Sequence, residues 1–382
     1  MRLRLVLSVM SVHFSNFAHP LDYNIAERPV MDTTPGVHWL CMLIVIATFP
    51  LICMGGLVTT LHAGMSVPDW PNSYGYNMFL FPPRLWIGGI LYEHTHRLMA
   101  TVVGLLAIAL VIAAFRTRSA SKTQRGLALA VLGTVIFQGV LGGLRVVLLK
   151  LDLAIVHACV AQAFFCLTVL TVLATSPQWD TPGRRMGVPD GRGRKLAWLS
   201  IATLIIIYLQ LIAGATMRHF QAGLAIPDLP LAYGNILPPI TPDGLDAANW
   251  IRLRQYDLDP VTLGQIWLHF LHRFGALSVS VMIVTLAVVV FRRYRTQPRL
   301  VRPTWLLVGL LFVQLTLGVL TVLLRKPADI ASAHVAVGAL VLATSFVLTV
   351  RTVRLFGLWR PASGSPASTG HVTDQPKSLA MA

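Results

Sequence analysis

Apolar residues along this chain gather into eight runs, each about as long as a helix that crosses a bilayer, with shorter polar stretches between them. The runs are roughly 38–61, 88–114, 126–149, 153–175, 195–217, 265–291, 303–324 and 330–350. A spanning helix needs about 20 mostly apolar residues, so the pattern predicts an all-α polytopic membrane protein with eight transmembrane helices. The runs also form two matching sets of four. Ala63-Gly64-Met65-Ser66-Val67-Pro68-Asp69-Trp70-Pro71 with Tyr74-Gly75 returns 159 positions later as Ala222-Gly223-Leu224-Ala225-Ile226-Pro227-Asp228-Leu229-Pro230 with Tyr233-Gly234. Gln138-Gly139-Val140-Leu141-Gly142 returns 176 positions later as Gln314-Leu315-Thr316-Leu317-Gly318, and Asp152 with His157 returns after 177 as Asp329 with His334. The change of offset locates an insertion within 235–264. Two parallel four-helix repeats, related by a pseudo-twofold axis along the membrane normal, are the expected architecture.

Charge orients the helices. The connectors after spans two, four and six carry Arg116, Arg118, Lys122 and Arg125, then Arg184, Arg185, Arg192, Arg194 and Lys195, then Arg292, Arg293, Arg295, Arg299 and Arg302. Cytoplasmic loops are enriched in Lys and Arg, so both termini are expected in the cytoplasm of a cell inner membrane, with loops 62–87 and 218–264 outside. The domains expected are a cytoplasmic tail 1–37, a four-helix half 38–175, a cytoplasmic linker 176–194, a second half 195–350 and a cytoplasmic tail 351–382 of disordered composition. Residues 1–20 resemble a signal peptide, but cleavage there would reverse every later helix against the charge bias. An uncleaved tail, or translation from Met31, agrees with that bias.

Composition narrows the class. With 55% hydrophobic and 12% charged residues, the chain is too apolar for an ordinary soluble domain. The net charge of +16 lies in short connectors, which argues for contact with membrane lipid and against nucleic acid. All four cysteines, Cys41, Cys53, Cys159 and Cys166, fall inside apolar runs without a CxxC pair, so neither a disulfide framework nor a thiolate metal site is indicated.

Candidate chemistry centres on histidine. Trp86–Arg97, WIGGILYEHTHR, is echoed by Trp267–Arg273, WLHFLHR; each puts a His-Arg pair near the start of a long apolar run. His157 and His334 follow on the fourth span of each half. At 1.5 Å per residue all four histidines, His96, His157, His272 and His334, lie roughly 6–12 Å below the outer surface. An isolated intramembrane histidine is ordinarily a hydrogen-bonded packing residue. Four at one depth, on matched helices of a duplicated unit, point to ligands, and imidazoles from facing bundle helices can hold a haem between them. His94 is about 200° around the helix from His96, so the two cannot face one site. His13, His19, His38, His62, His219 and His371 lie in tails, loops or helix ends and carry no assigned chemistry, and His269 is a weaker candidate.

Glu93 breaks the symmetry. The chain has two glutamates, Glu27 and Glu93; Glu93 shares a helical face with His96, and His269 stands at its repeat position. If one half performs chemistry, that carboxylate is its natural proton-handling group; the plainer reading is a capping or snorkelling residue. Arg97 and Arg273 are candidate propionate contacts, or snorkel to the outer interface. Gly55-Gly56, Gly142-Gly143, Gly214 and Gly318 are expected to permit close helix packing. The Pro-Asp-Trp-Pro and Pro-Asp-Leu-Pro loops read as rigid turns lidding each site.

Taken in order along 38–350, these residues resemble the haem A synthase family, membrane enzymes that convert haem O to haem A for terminal oxidases. The resemblance rests on Glu93-His94-Thr95-His96-Arg97, on Ala63-Gly64-Met65-Ser66 with Pro68-Asp69-Trp70-Pro71, and on His157, His272-Arg273 and His334. It implies an N-terminal half in which His96 and His157 flank the substrate haem O, with Glu93 as catalytic carboxylate. It also implies a C-terminal half in which His272 and His334 ligate the iron of a haem b cofactor. The implied reaction oxidises a ring methyl to a formyl group through successive hydroxylations, with an electron donor the sequence does not name. The haem O-forming farnesyltransferase and terminal oxidase assembly factors are the implied partners. Some members carry a cysteine pair in the first outer loop; 62–87 contains none. A two-haem electron-transfer cytochrome that modifies neither haem is the alternative, and a transporter built on parallel repeats is a third reading.

Overall fold

Long apolar runs with few breakers become long helices. The computed structural model describes residues 35–177, Trp179 and 191–356; the expectations for 1–34, 178, 180–190 and 357–382 lie outside them. Its helices are α1 (Pro35–Thr60), α2 (Gly89–Arg116), α3 (Lys122–Val147), α4 (Leu151–Thr175), α5 (Gly191–His219), α6 (Pro242–Tyr256), α7 (Leu263–Arg293), α8 (Pro298–Leu323) and α9 (Ala328–Phe356). All except α6 are long and apolar enough to span a membrane, and each coincides with one of the eight runs. Several ends are set by local chemistry. Reciprocal capping boxes, Ser121 with Gln124 and Thr262 with Gln265, start α3 and α7 by satisfying amides that the first helical turn leaves without partners.

The insertion contains α6. Thr241 accepts from the Gly244 amide at 3.2 Å and Pro242 occupies the first turn, a pairing suited to a helix start. Arg252 then ties α6 to the second outer loop: Nη1 donates to Leu224 O at 2.6 Å and Ala225 O at 3.0 Å, while Nε and Nη2 hold Asp259 O at 2.9 and 2.7 Å. The change of repeat offset locates the insertion without revealing this helix, because its surface is mixed.

Helix neighbours repeat. In the first half α1 packs on α2, α2 on α3, α3 on α4 and α4 on α1; in the second, α5 on α7, α7 on α8, α8 on α9 and α9 on α5. Each half is therefore a ring of four, in which α2 and α4, or α7 and α9, stand diagonally. Between halves, α1 meets α9, α5 meets α4, and α4 meets α9; exchanging the halves maps this set onto itself, as a pseudo-twofold requires. The seam is closed by Ile52, Phe165, Ala339 and Ala343, and Gly56 lets α1 approach Val335 and Ser332 of α9. Leu105, Ile108, Phe312 and many other large apolar side chains stay exposed, as a lipid-facing surface requires.

Candidate functional site

Loops 62–87 and 218–264 sit on the histidine-bearing helices as clamped lids, built twice. In the first, the Asp69 carboxylate accepts the amides of Tyr74 at 2.7 Å and Gly75 at 2.8 Å; in the second, Asp228 accepts those of Tyr233 and Gly234, each at 2.9 Å. Each Tyr-Gly pair has positive φ at both residues, so glycine at the second position relieves strain that most side chains would add. Asp69 lies outside the spans. Its partial burial would by itself raise its pKa, but the amides of Gly75 and Tyr74, together with Arg97, hold it below the ordinary carboxylate range.

Arginine fastens each lid. Arg97 Nη1 donates to Asp69 O at 2.7 Å and Asn72 O at 3.0 Å, and Nη2 to Val67 O at 2.8 Å. Arg273 repeats this with Asp228 O at 2.8 Å, Leu231 O at 3.1 Å and Ile226 O at 2.7 Å. Glu93 and His269 occupy corresponding positions below. The buried Glu93 accepts from Arg97 Nη2 and from the Val67 amide, both at 2.9 Å, on separate oxygens. His269 stands near the Ile226 amide at 3.1 Å and Arg273 Nε at 3.2 Å, of which a neutral imidazole can accept only one. The first lid is thus anchored by an arginine paired with a carboxylate, and the second by an arginine beside an imidazole. His94 belongs to the first lid, against Phe81 and Trp86 and 3.3 Å from Ser73 Oγ, apart from the His96 face as its angular offset requires.

The four remaining histidines share one construction. Each imidazole lies against a glycine of a neighbouring helix: His96 on Gly55, His157 on Gly142, His272 on Gly214 and His334 on Gly318. A Cβ at Gly214 would stand 2.9 Å from His272 Cε1, and at the other three glycines 3.2 Å from the corresponding atom. The glycines expected to serve helix packing therefore mostly receive side chains instead; Gly143, likewise, lies directly under the Trp70 indole of the first lid. Nδ1 of His96, His157 and His334 is buried without a well-formed hydrogen bond. Their rings interact with the backbone of Leu51, Gln138 and Gln314 respectively, each four residues before the seat glycine. At His272 the side chain of Gln210, also four before its glycine, takes that role, 3.1 Å from Nδ1 and 2.8 Å from the backbone oxygen. Gln138 holds His157 O at 3.1 Å, and Gln314 Nε2 lies 3.2 Å from His334 Nε2.

In the second half the His272 and His334 rings have centroids 6.5 Å apart at an angle of 69°. Two bonds from a shared metal to imidazole, about 2 Å each, account for most of that span, and the ring radii for the remainder. In the first half His96 and His157 are close enough to act on each other electrostatically. Among the described residues no three His, Cys, Asp or Glu side chains converge. Two imidazoles on diagonal helices, lacking a third protein donor, suit a planar macrocycle that brings its own equatorial nitrogens better than a bare tetrahedral ion.

Comparison with known sequences agrees with that geometry. The model of the cytochrome oxidase assembly protein family COX15-CtaA matches residues 89–346, well over half of the chain. The chain belongs to the COX15-CtaA family. Curated relatives include the Heme A synthase of Shewanella oneidensis, 27% identical over 352 residues, covering 86% of this chain and 98% of that protein. Those of Halalkalibacterium halodurans and Rickettsia bellii are each 26% identical, covering 77% and 78% of this chain and 89% and 92% of theirs.

For a COX15-CtaA member, two features of the site escape motif reading. Arg97 and Arg273, candidates for propionates, here donate to lid carbonyls. Arg145 and Arg218 instead stand beside the histidines: Arg145 acts electrostatically on His96 and His157, and Arg218 on His334. A signal for them existed in the repeat, since Thr321 and Thr59 occupy their matched positions, so two cations at outer span ends are unexplained by duplication.

Proposed function

We propose that this multi-pass membrane protein is a heme A synthase, an oxidoreductase that converts the ring methyl of haem O to a formyl group through successive hydroxylations and loss of water from the geminal diol. The observation that carries the reading is the unequal pair of sites: both halves present two imidazoles from diagonal helices, and only the first adds a buried carboxylate, Glu93. His96 and His157 flank the substrate haem, each ring set at its depth by a glycine. Glu93 handles protons beside it, with Arg97 and the Val67 amide fixing both oxygens. His272 and His334 would hold a haem b, and that group would supply one-electron transfer. The lids keep water from the substrate, and Arg97 and Arg273 keep the lids in place. The protein lies in the cell inner membrane with both termini cytoplasmic, draws on an external oxidant together with a separate electron donor for each two-electron hydroxylation, and receives haem O from the farnesyltransferase that makes it.

The test is co-expression with a haem O source, followed by chromatography of extracted haems. Haem A formed from haem O is the expected result. Haem b alone, with haem O unchanged, would make the protein an electron-transfer cytochrome, and absence of any bound haem would favour a transporter.

A further inference from the structure

Four arginines lie near the outer ends of the histidine-bearing bundles, and they are engaged very differently. Arg97 and Arg273 grip lid carbonyls through both terminal nitrogens. Arg145, near the end of α3, meets the protein through Nη2 alone, at Gly64 O, 3.0 Å away. Arg218, in the last turn of α5, crosses to the other half and through Nη2 alone meets Gly56 O and Thr60 Oγ1 at the end of α1. Among the described residues the sole ion pair is Glu93 with Arg97, so neither Arg145 nor Arg218 has a carboxylate partner.

Their surroundings are mostly positive, and the one carboxylate that acts on Arg145, Glu93, is already paired with Arg97. Lys326, in the turn between α8 and α9, is within electrostatic reach of Arg218 and lies 3.4 Å from Gln221 Oε1. His219 is within reach of both arginines. The repeat positions of Arg145, Arg218 and His219 are Thr321, Thr59 and Thr60, so these three groups have no counterparts in the other half. A plain structural role accounts for part of it: Arg218 caps the carbonyl end of α1, where a cation is favourable, and Arg145 steadies Gly64. That role engages one nitrogen of each planar fork. Holding several cations together at the edge of a membrane interior, with the nearby Glu93 carboxylate already committed to Arg97, is costly, and guanidinium is the side chain best matched to a planar carboxylate.

We propose that Arg145 and Arg218 are the carboxylate-binding residues of the two porphyrin sites. Arg145, beside His96 and His157, takes a propionate of the substrate haem, and Arg218, beside His334, takes a propionate of the haem held by His272 and His334. The inference rests on the two-haem reading above and moves the propionate contacts away from the lid arginines. An anionic lipid headgroup offers similar chemistry; the porphyrin is favoured because each arginine stands beside a histidine pair.

The test titrates haem b and its dimethyl ester separately into the full-length protein, purified haem-free in detergent, and follows the Soret band. Charge-assisted hydrogen bonds of this kind correspond to roughly tenfold to hundredfold in affinity, so wild type should bind the diacid that much more tightly than the ester. Arg218→Gln should remove most of the preference while leaving ester affinity unchanged, and Arg218→Lys should keep part of it. Failure of wild type to bind either porphyrin would sink the two-haem reading itself. Equal binding of diacid and ester by wild type would overturn the propionate assignment and leave that reading standing, without depending on how any variant folds. A full preference surviving in both Arg218→Gln and Arg145→Gln would also overturn it. So would ester indifference together with an anionic lipid that co-purifies with wild type and is lost from Arg218→Gln.

Discussion

Replacing Gly214 by alanine tests whether the seat glycines set the position of the imidazoles proposed as haem ligands. The new Cβ would stand 2.9 Å from His272 Cε1 and 3.5 Å from Nδ1. Carbon atoms pack best at about 3.5–4.0 Å, so the ring must withdraw by roughly 0.6 Å, while Gln210, 3.1 Å from Nδ1, resists the shift. Overpacking of this kind costs about 1–3 kcal/mol, and at about 1.4 kcal/mol per tenfold it lowers haem affinity between roughly fivefold and 150-fold. The assay is haem content per purified protein, with the electron paramagnetic resonance spectrum of the oxidised haem reporting ligand orientation. Gly318→Ala, where the gap to His334 is 3.2 Å, should have a smaller effect. Gly309→Ala, where a Cβ meets nothing within 4 Å, should have none beyond the modest gain from alanine in a helix. Unchanged haem content and spectrum in Gly214→Ala would refute the idea that this glycine positions His272.

His334→Ala should insert normally yet lose the stably bound haem; a full wild-type Soret band and redox titration from the purified variant would remove His334 from the ligand set. Glu93→Gln should depress the haem A to haem O ratio more than haem content, on the scale of about 10²–10⁴-fold typical of proton-transfer groups. A normal haem A yield would leave Glu93 as the anchor of the first lid. Because the folded pKa of Asp69 is depressed, its contribution is complete above the unfolded value of about 3.9 and is lost only as pH falls through the lower folded value. Protection of the Tyr74 and Gly75 amides, corrected for intrinsic exchange, should therefore stay flat between about pH 5 and 8 and vanish in acid; loss of protection near pH 6 would contradict the assignment. Reporter fusions at 120, 188 and 297 should read cytoplasmic, and those at 75 and 245 external; an external signal at 188 would break the eight-span topology.

The eight spans were legible because a bilayer imposes length and apolarity on every crossing segment, and the repeat offsets exposed both the duplication and the insertion within it. The four histidines proposed as ligands were legible for a related reason: polar groups at one depth on matched helices stand out against apolar surroundings. Other parts required three dimensions. Gly55, Gly142, Gly214 and Gly318 read as packing residues because a missing side chain leaves no record of what fills its place. Arg97 and Arg273 directly follow His96 and His272, which suggested a propionate contact, yet their reach is taken by loop carbonyls some 25–47 positions away in sequence. Helix α6 was hidden because a helix lying outside the membrane need not be uniformly apolar.

The Trp70 indole lies over Gly143, and at the matched positions of the second half stand Leu229 and Val319. A large side chain above a bare backbone in one half corresponds to a medium side chain and a branched one in the other. The lids, though alike in turn and clamp, are therefore not interchangeable parts. Grafting the second loop onto the first bundle would leave the space above Gly143 underfilled, while the reverse graft would bring an indole toward Val319. Anyone building chimeras from the two halves would have to move loop and third helix together.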